Sequence, residues 1–335
     1  MKASVLIPVY NKALFVKEAL ESVLKGTYQD FEIICVDDKS TDDGLEVLRS
    51  IADPRVRIIE LPQNLGPAGA ANAGLDRSTG EYIVRLDADD IALPDRLEKQ
   101  VAFMDAHPDI GASGGRLDLF GNTRGSWSFP LDPDDCAAQQ LFGVPLSQGA
   151  SIIRRSVLEA HHLRYDPSWP RIGEDWLFWT RMGRVTRFAN IAEPVALYRR
   201  GEQNISHGRD KHADFMVLVR NILAFHSIAH TEEELELHLM GLYLFKQKPT
   251  KERVRSLRAW FDRLLMINTE RNLFPREAFA RRVAQAWDGL YHYLPRYGAS
   301  VAMEHLRLSR SWPMDRVMYL AKYRVNALLG RMANG

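Results

Sequence analysis

Glu81-Tyr82-Ile83-Val84-Arg85-Leu86-Asp87-Ala88-Asp89-Asp90 runs a short apolar strand into three closely spaced carboxylates. A strand that ends in acids suits an open α/β sheet, whose ligands bind in the crevice at the carboxyl ends of the strands. Neighbouring carboxylates repel one another, and a cation relieves them. Hard oxygen donors suit Mg2+ or Mn2+, which commonly bridge one or two carboxylates to a substrate phosphate. By itself the stretch fits a solvated acidic turn and helix cap equally well.

Upstream of it, strand and helix signals alternate. Residues 3–8 (ASVLIP) read as a strand, and residues 12–25 place Leu14, Phe15, Ala19, Leu20 and Val23 at helical spacing. Residues 31–36 (FEIICV) form a second buried strand ending at Asp37-Asp38. Ser40-Thr41-Asp42 offers caps for a helix over 43–51. A third strand covers 56–60, and the small residues of 66–75 predict a closely packed helix. Pro94 and Asp95 start another helix over 95–107. This order predicts a doubly wound, mostly parallel sheet.

After about residue 110 the alternation becomes irregular. A Gly-interrupted hairpin is expected over 111–129, a strand over 150–153 and a helix over 174–182. Beyond Asp210 only helical periodicity remains, over 215–228, 232–245, 251–268, 276–294 and 301–310. Thr231 with Glu234 makes a capping box, and Thr250 and Pro275 mark helix starts. The division predicted is an α/β domain over 1–210 and an all-helical module over 211–335.

Composition agrees with a soluble globular chain: 335 residues, 46% hydrophobic and 26% charged. No apolar run reaches the ~20 residues that span a bilayer, and the start of the chain has no secretion-signal pattern. Two cysteines, Cys35 and Cys136, give neither a disulfide framework nor metal-ligand spacing, so a cytoplasmic location is expected. Residues 211–335 carry 20 Lys and Arg against 12 Asp and Glu, whereas residues 1–210 carry 24 against 31. The two parts therefore differ in sign.

Asp37-Asp38 closes the second strand as the acidic cluster closes the fourth, so both face one crevice and suit a nucleotide base and ribose. A P-loop is absent, and so is a Gly-x-Gly-x-x-Gly after the first strand. That strand instead enters Ile7-Pro8-Val9-Tyr10-Asn11, where a rigid ring and an aromatic one could frame a flat base. Read alone, Asp37-Asp38 is equally an Asx-turn, and Glu174-Asp175 a pair of acids favoured at a helix start.

Ser4-Val5-Leu6-Ile7-Pro8-Val9-Tyr10-Asn11, Val36-Asp37-Asp38-Lys39-Ser40-Thr41-Asp42, Asn64-Leu65-Gly66, Gly80-Glu81-Tyr82-Ile83, Asp87-Ala88-Asp89-Asp90 and Glu174-Asp175-Trp176 occur in that order. Together they resemble the family 2 glycosyltransferases over about the first 200 residues. The resemblance implies the inverting GT-A fold, a nucleotide-sugar-binding α/β architecture. It implies that Pro8, Tyr10 and Asp38 hold the uracil of a UDP-sugar, that Asp87 meets the ribose, and that Asp89, in the Asp-x-Asp (DXD) motif, ligates Mn2+ or Mg2+. Asp90 is then a supporting residue. Asp175 is implied as the base that takes the acceptor hydroxyl's proton, with Glu174 orienting it or touching the acceptor.

Gly149-Ala150-Ser151 matches a family segment near the acceptor and reads equally as a strand entry. Tyr198-Arg199-Arg200 and Asn204-Ile205-Ser206-His207 resemble the family's closing segment, where Arg199 or Arg200 could pair with the diphosphate, and at least one of the two reads as part of a solvated basic loop. The chain departs from many relatives by placing Gly201 after the arginines, which weakens His207 as a metal ligand. Gln-x-x-Arg-Trp, carried by the family's processive polymerases, is absent. The implied activity is therefore non-processive, metal-dependent transfer of one sugar, of hexosyl or N-acetylhexosaminyl type, to a glycan or lipid-linked acceptor in polysaccharide or glycolipid biosynthesis.

A second reading is a catalytically silent GT-A domain that binds a nucleotide or glycan while its helical module recruits a partner. A nucleotidyltransferase would need a Gly-rich phosphate loop that the chain lacks. The stretch 312–331 sets Trp312, Met314, Val317, Met318, Tyr319, Leu320, Leu328 and Leu329 against Arg316, Lys322, Arg324 and Arg331. It admits a packing or homodimer face and a peripheral contact with the inner face of a membrane. Basic residues mixed with acids and aliphatics argue against nucleic-acid binding. The sugar moved and the linkage made are not written in these residues.

Overall fold

The computed structural model describes residues 1–169, 172–201, 210–309 and 312–328. The chain divides into two compact units, Met1–Arg209 and Asp210–Gly335. In the first, strands β1 (Ala3–Val9), β2 (Phe31–Asp37), β3 (Val56–Glu60) and β4 (Tyr82–Arg85) alternate with helices α1 (Val16–Leu24), α2 (Gly44–Arg49) and α3 (Gly66–Leu75). The short β5 (Ile91–Ala92) and helix α4 (Arg96–Ala106) follow the acidic turn. Then come β6 (Ile110–Gly121), β7 (Gly125–Trp127), α5 (Pro133–Gln139), β8 (Ile152–Arg154), α6 (Arg155–Ala160), α7 (Glu174–Met182) and β9 (Arg187–Arg200).

The strands form one sheet in the order β3-β2-β1-β4-β8-β6-β9-β5, with β7 paired to β6. β3, β2, β1 and β4 run parallel. β8 runs antiparallel to β4 and to β6, and β9 lies parallel to β6. The sheet is thus parallel from β3 to β4, as the alternation of strands and helices predicts, and mixed beyond it.

The α/β pattern arises because side chains alternate across a strand. Val5 and Ile7 face α1 and α4 in one core with Leu20, Phe31, Val84 and Met104. Leu6 faces α3 and α7 in the other, with Ile34, Ala70, Ile83, Phe178 and Trp179. The small residues of α3 serve the close approach expected of them, since a Cβ at Gly74 would lie 2.0 Å from Leu6 Cδ1. Asp42 Oδ1 accepts from the Gly44 amide at the start of α2 at 3.0 Å, and Oδ2 from the Ala13 amide at 2.8 Å.

β9 and α5 were not expected from the sequence. β9 contains Ala192-Glu193-Pro194, which breaks the alternation of a strand. The register against β6 shifts there, between Gly114 and Leu117, and such irregularities are where a sheet tolerates proline.

The second unit consists, among its described residues, of helices α8 (Lys211–Phe225), α9 (Glu232–Gly241), α10 (Lys251–Arg271), α11 (Arg276–Leu290), α12 (Ala299–Ser309) and α13 (Met314–Leu328). Its core includes Leu218, Ile222, Leu235, Leu257, Trp260, Phe261, Phe279 and Trp287. The Thr231–Glu234 capping box is complete, at 2.8 and 3.1 Å, and Thr250 Oγ1 accepts from the Arg253 amide.

Gly80 is packed against the first strand. A Cβ there would stand 2.5 Å from the Ser4 amide nitrogen and 2.6 Å from the Ala3 carbonyl carbon. Neither backbone atom can yield without disturbing β1. Gly80→Ala should therefore destabilise the chain by about 1–3 kcal/mol, read as a lower urea midpoint with an unchanged m-value.

Candidate active site

The acidic turn lies at the carboxyl end of β4, where the Asp90 amide donates to the Asp87 carbonyl at 3.0 Å. The end of β2 lies beside the end of β1, with the Asp38 amide donating to the Val9 carbonyl at 2.8 Å. Pro8 is half-buried, while Tyr10 keeps 47% of its surface open. Asn11 adopts a left-handed backbone with φ 52°, which Asn tolerates better than most residues. Its Oδ1 accepts from the Thr41 amide at 2.8 Å, and its own amide donates to Ser40 Oγ at 3.1 Å. These bonds tie the loop after β1 to the loop after β2. Asp38 Oδ1 accepts from the Leu65 amide at 2.6 Å. Burial lifts the Asp38 titration, and the amides of Leu65 and Gly66 oppose that rise.

The cations that the acidic turn calls for come from the chain itself. Lys12 Nζ contacts Asp89 Oδ2 at 2.6 Å, with both side chains largely buried. Arg85, 2% exposed, points a terminal nitrogen to 3.9 Å from Asp87 and lies over the Tyr165 ring. Its Nε and second terminal nitrogen have no hydrogen-bond partner. Arg96 is equally buried and donates to the Arg85 carbonyl at 2.6 Å and to Gln100 at 3.0 Å. Gln100 in turn donates to the Ala150 carbonyl at 2.8 Å. Burial still dominates the acids: it raises Asp87 and Asp90, with mutual repulsion adding to both. Asp87 nonetheless keeps 40% of its side chain open, as a group on the floor of a crevice does.

Arg199 anchors the turn from β9. Its amide donates to Asp90 Oδ1 at 2.8 Å and its Nε to the Asp89 carbonyl at 2.8 Å, while a terminal nitrogen meets Glu18 at 2.6 Å. The guanidinium also contacts the rings of Phe15 and Phe120. In this structure Arg199 thus clamps the acidic loop. The Arg200 guanidinium stands over Trp127. Asn204, Ile205, Ser206 and His207 lie outside the described residues.

Glu174 and Asp175 open α7, following Gly173 at φ 94°. Both acids feel Asp87 and Arg85, which places them in the same electrostatic neighbourhood. Burial and the charge of Asp175 push Glu174 up to about 7. Burial lifts Asp175 to about 6, against the Trp176 amide that donates to its Oδ1 at 2.8 Å. At a helix start the amides favour the charged form, so burial outweighs the helix here. Gly149 lies between the acids, since a Cβ on it would stand 3.0 Å from Asp87 Oδ2 and 3.5 Å from Asp90 Oδ2. Tyr198 joins the group, its hydroxyl raised by burial and then by Asp87, Asp90 and Asp89.

Among the described residues no three His, Cys, Asp or Glu side chains converge into a metal cage. The donors that are present still fit a divalent cation. Asp90 Oδ2 is a buried oxygen without a hydrogen-bond partner, and hard cations such as Mg2+ often take one or two carboxylates and complete their shell with phosphate and water.

Sequence reasoning did not assign roles to Lys12, Arg85 and Arg96. Arg85 had a visible signal, a charge in the middle of an apolar strand, because Arg is rarely fully buried unless paired. Lys12 follows the Tyr10-Asn11 segment directly but looks like any solvated lysine.

Residues 4–161 match the model of Glycosyl transferase family 2. Over that stretch the chain is of the family 2 glycosyltransferase type, and it has the GT-A fold. Among curated proteins it is 34% identical over 184 residues to the succinoglycan biosynthesis protein ExoO of Rhizobium meliloti, covering 51% of this chain and 53% of that one. The chain spans less than two thirds of the length of the curated relatives it matches. Among solved structures it is similar to S. aureus TarS 1-349 in complex with UDP-GlcNAc, with a TM-score of 0.60, 19% identity and coverage of 92% and 91% of the two chains. The mannosyltransferase PcManGT from Pyrobaculum calidifontis, in complex with GDP-Man and Mn2+, gives 0.50, 19% identity and coverage of 98% and 87%. At these identities both structures support the fold alone.

Arg85 holds down the titrations of Asp87, Glu174 and Asp175. Its removal withdraws a positive charge, so Arg85→Met should raise the Glu174 and Asp175 pKa values by about one pH unit or more. Carboxyl-carbon NMR titration measures this, and Arg85→Lys should keep much of the original behaviour.

Proposed function

We propose that the first unit, Met1–Arg209, transfers one sugar from a UDP-sugar to a hydroxyl of a glycan or lipid-linked acceptor, with inversion and without processive polymerisation. The observation that carries this reading is the Glu174-Asp175 pair, lifted to about 7 and 6 beside Asp87 and Arg85. A general base works best with a pKa near the working pH. Asp175, the lower of the two, is charged at neutral pH and able to accept a proton.

In the reaction proposed, the acceptor oxygen attacks the anomeric carbon from the face opposite the nucleotide. The new glycosidic bond forms as the carbon–oxygen bond to the diphosphate breaks, and the hydroxyl proton passes to Asp175. Glu174, about half protonated near neutrality, donates a hydrogen bond toward the acceptor or orients Asp175. Pro8 and Tyr10 frame the uracil, Asp38 accepts from it, and Asp87 meets the ribose.

Asp89 and the donor diphosphate would hold Mn2+ or Mg2+, which when bound offsets the negative charge that develops on the leaving UDP. Lys12, already paired with Asp89, lies where it can share that charge. Arg199 is a positioning residue in this reading, since its contacts with Asp89 and Asp90 fix the turn; a diphosphate contact would require it to leave Glu18. A UDP-linked hexose or N-acetylhexosamine is the donor in this reading, and the name of ExoO supports polysaccharide assembly as the setting.

Asp175→Asn should lower kcat by about 10²–10⁴ while leaving donor KM nearly unchanged. In the parent enzyme kcat should fall as pH drops through about 6, because protonation removes the base. A thermal-shift screen of nucleotide sugars with and without Mn2+ identifies the donor, which raises the melting temperature by binding the native state. Asp89→Ala should abolish the Mn2+-dependent part of that shift. Full turnover by Asp175→Asn would remove the proposed base.

A further inference from the structure

Helix α13 packs onto its own unit through one face. Arg316 lies 3.0 Å from Asp288 and over the Tyr291 ring, and the Tyr291 hydroxyl donates to the Arg316 carbonyl at 2.8 Å. The Tyr319 hydroxyl donates to the His292 carbonyl at 3.2 Å.

The other face is open. Met314, Val317, Met318, Ala321 and Val325 follow one another at i, i+3, i+4, i+7 and i+11, the spacing that aligns side chains along one side of a helix. All five are exposed, Met314 at 72% and Met318 at 64%. Trp312, 55% exposed, precedes them. At 3.6 residues per turn, Lys322 borders this stripe on one flank and Arg324 on the other, and both are exposed.

An apolar stripe in water is unfavourable, so it calls for a cover. The flanking cations select which one. On a second copy the same face offers, among its described residues, only one exposed acid, Asp315, to these two cations, so like charges outnumber opposite ones. A bilayer with anionic headgroups matches both features, taking the apolar side chains among its acyl chains while the two cations stay at headgroup level. The excess of 20 Lys and Arg over 12 Asp and Glu in residues 211–335 adds attraction of the same sign.

We propose that α13 is a surface anchor that lies along an anionic membrane, with Met314, Val317, Met318 and Val325 inserted and Lys322 and Arg324 on phosphate. This places the unit at a lipid surface whatever sugar the first unit moves. It does not require a span, and among the described residues no helix is long and apolar enough to cross a membrane.

The test is co-sedimentation of the full chain with vesicles of phosphatidylcholine and phosphatidylglycerol in equal parts, and with phosphatidylcholine alone, without donor. Binding is expected on the mixed vesicles, about tenfold weaker on neutral ones, and reversed by salt. The pair Met318→Glu with Val325→Glu should cut partitioning at least about tenfold, as should Lys322→Glu with Arg324→Glu. Because these side chains are exposed, melting temperatures should not change. If the acidic apolar-face pair does lower them, Met318→Ser with Val325→Ser repeats the test without added charge. Lack of binding to the mixed vesicles would overturn the proposal, as would equal binding to neutral ones or binding unaffected by both pairs. A concentration-dependent dimer lost in Met318→Glu would assign the face to a second copy instead.

Discussion

Charge compensation at the Asp87–Asp90 turn constrains much of what surrounds it. Three acids share a few residues of backbone at the end of a buried strand, in a setting where burial and neighbouring negative charge raise the titrations of Asp87 and Asp90. The chain answers with Arg85 and Arg96 inside the fold, Lys12 from the first loop, and Arg199 from the last strand. These residues come from four separate segments. The turn is therefore a product of tertiary assembly, even though its acids are adjacent in sequence.

Both halves of the sheet contribute to the site. The parallel strands β3, β2, β1 and β4 fix the ends at which Asp38 and Asp87 appear. The mixed half of the sheet returns β8 beside β4 and brings Gly149 close to the acids, where a Cβ would stand 3.0 Å from Asp87 Oδ2. β9 arrives last and supplies Tyr198 and Arg199. Buried arginines are costly unless paired, and Arg85 keeps two nitrogens without hydrogen-bond partners. That positive charge moderates Asp87, Glu174 and Asp175 together, so one guanidinium links the donor side of the site to the proposed base.

Several of these features were legible beforehand and others were not. The strands up to β4 and helix α7 follow from apolar alternation and helical spacing, which are local properties. The Thr231–Glu234 box was readable because both partners lie within one turn. β9 was not, because Ala192-Glu193-Pro194 interrupts its alternation and only the irregular pairing with β6 accommodates it. The mixed direction of the sheet beyond β4 was likewise hidden, since strand direction depends on which distant segment pairs with which.

By itself the sequence determined the alternation of strands and helices up to β4, the acids at the ends of β2 and β4, the acidic start of α7 and the helical periodicity beyond Asp210. Each of these is set by residue type and by spacing within a few turns or strand residues. Tertiary structure alone decided that Lys12 pairs with Asp89, that Arg85 is buried among three carboxylates, and that Arg199 clamps the turn. It also decided that burial outweighs the helix start at Glu174 and Asp175. The physical reason is that desolvation and charge pairing depend on which segments are packed together, and residues 12, 85, 149, 175 and 199 meet only when the sheet is complete.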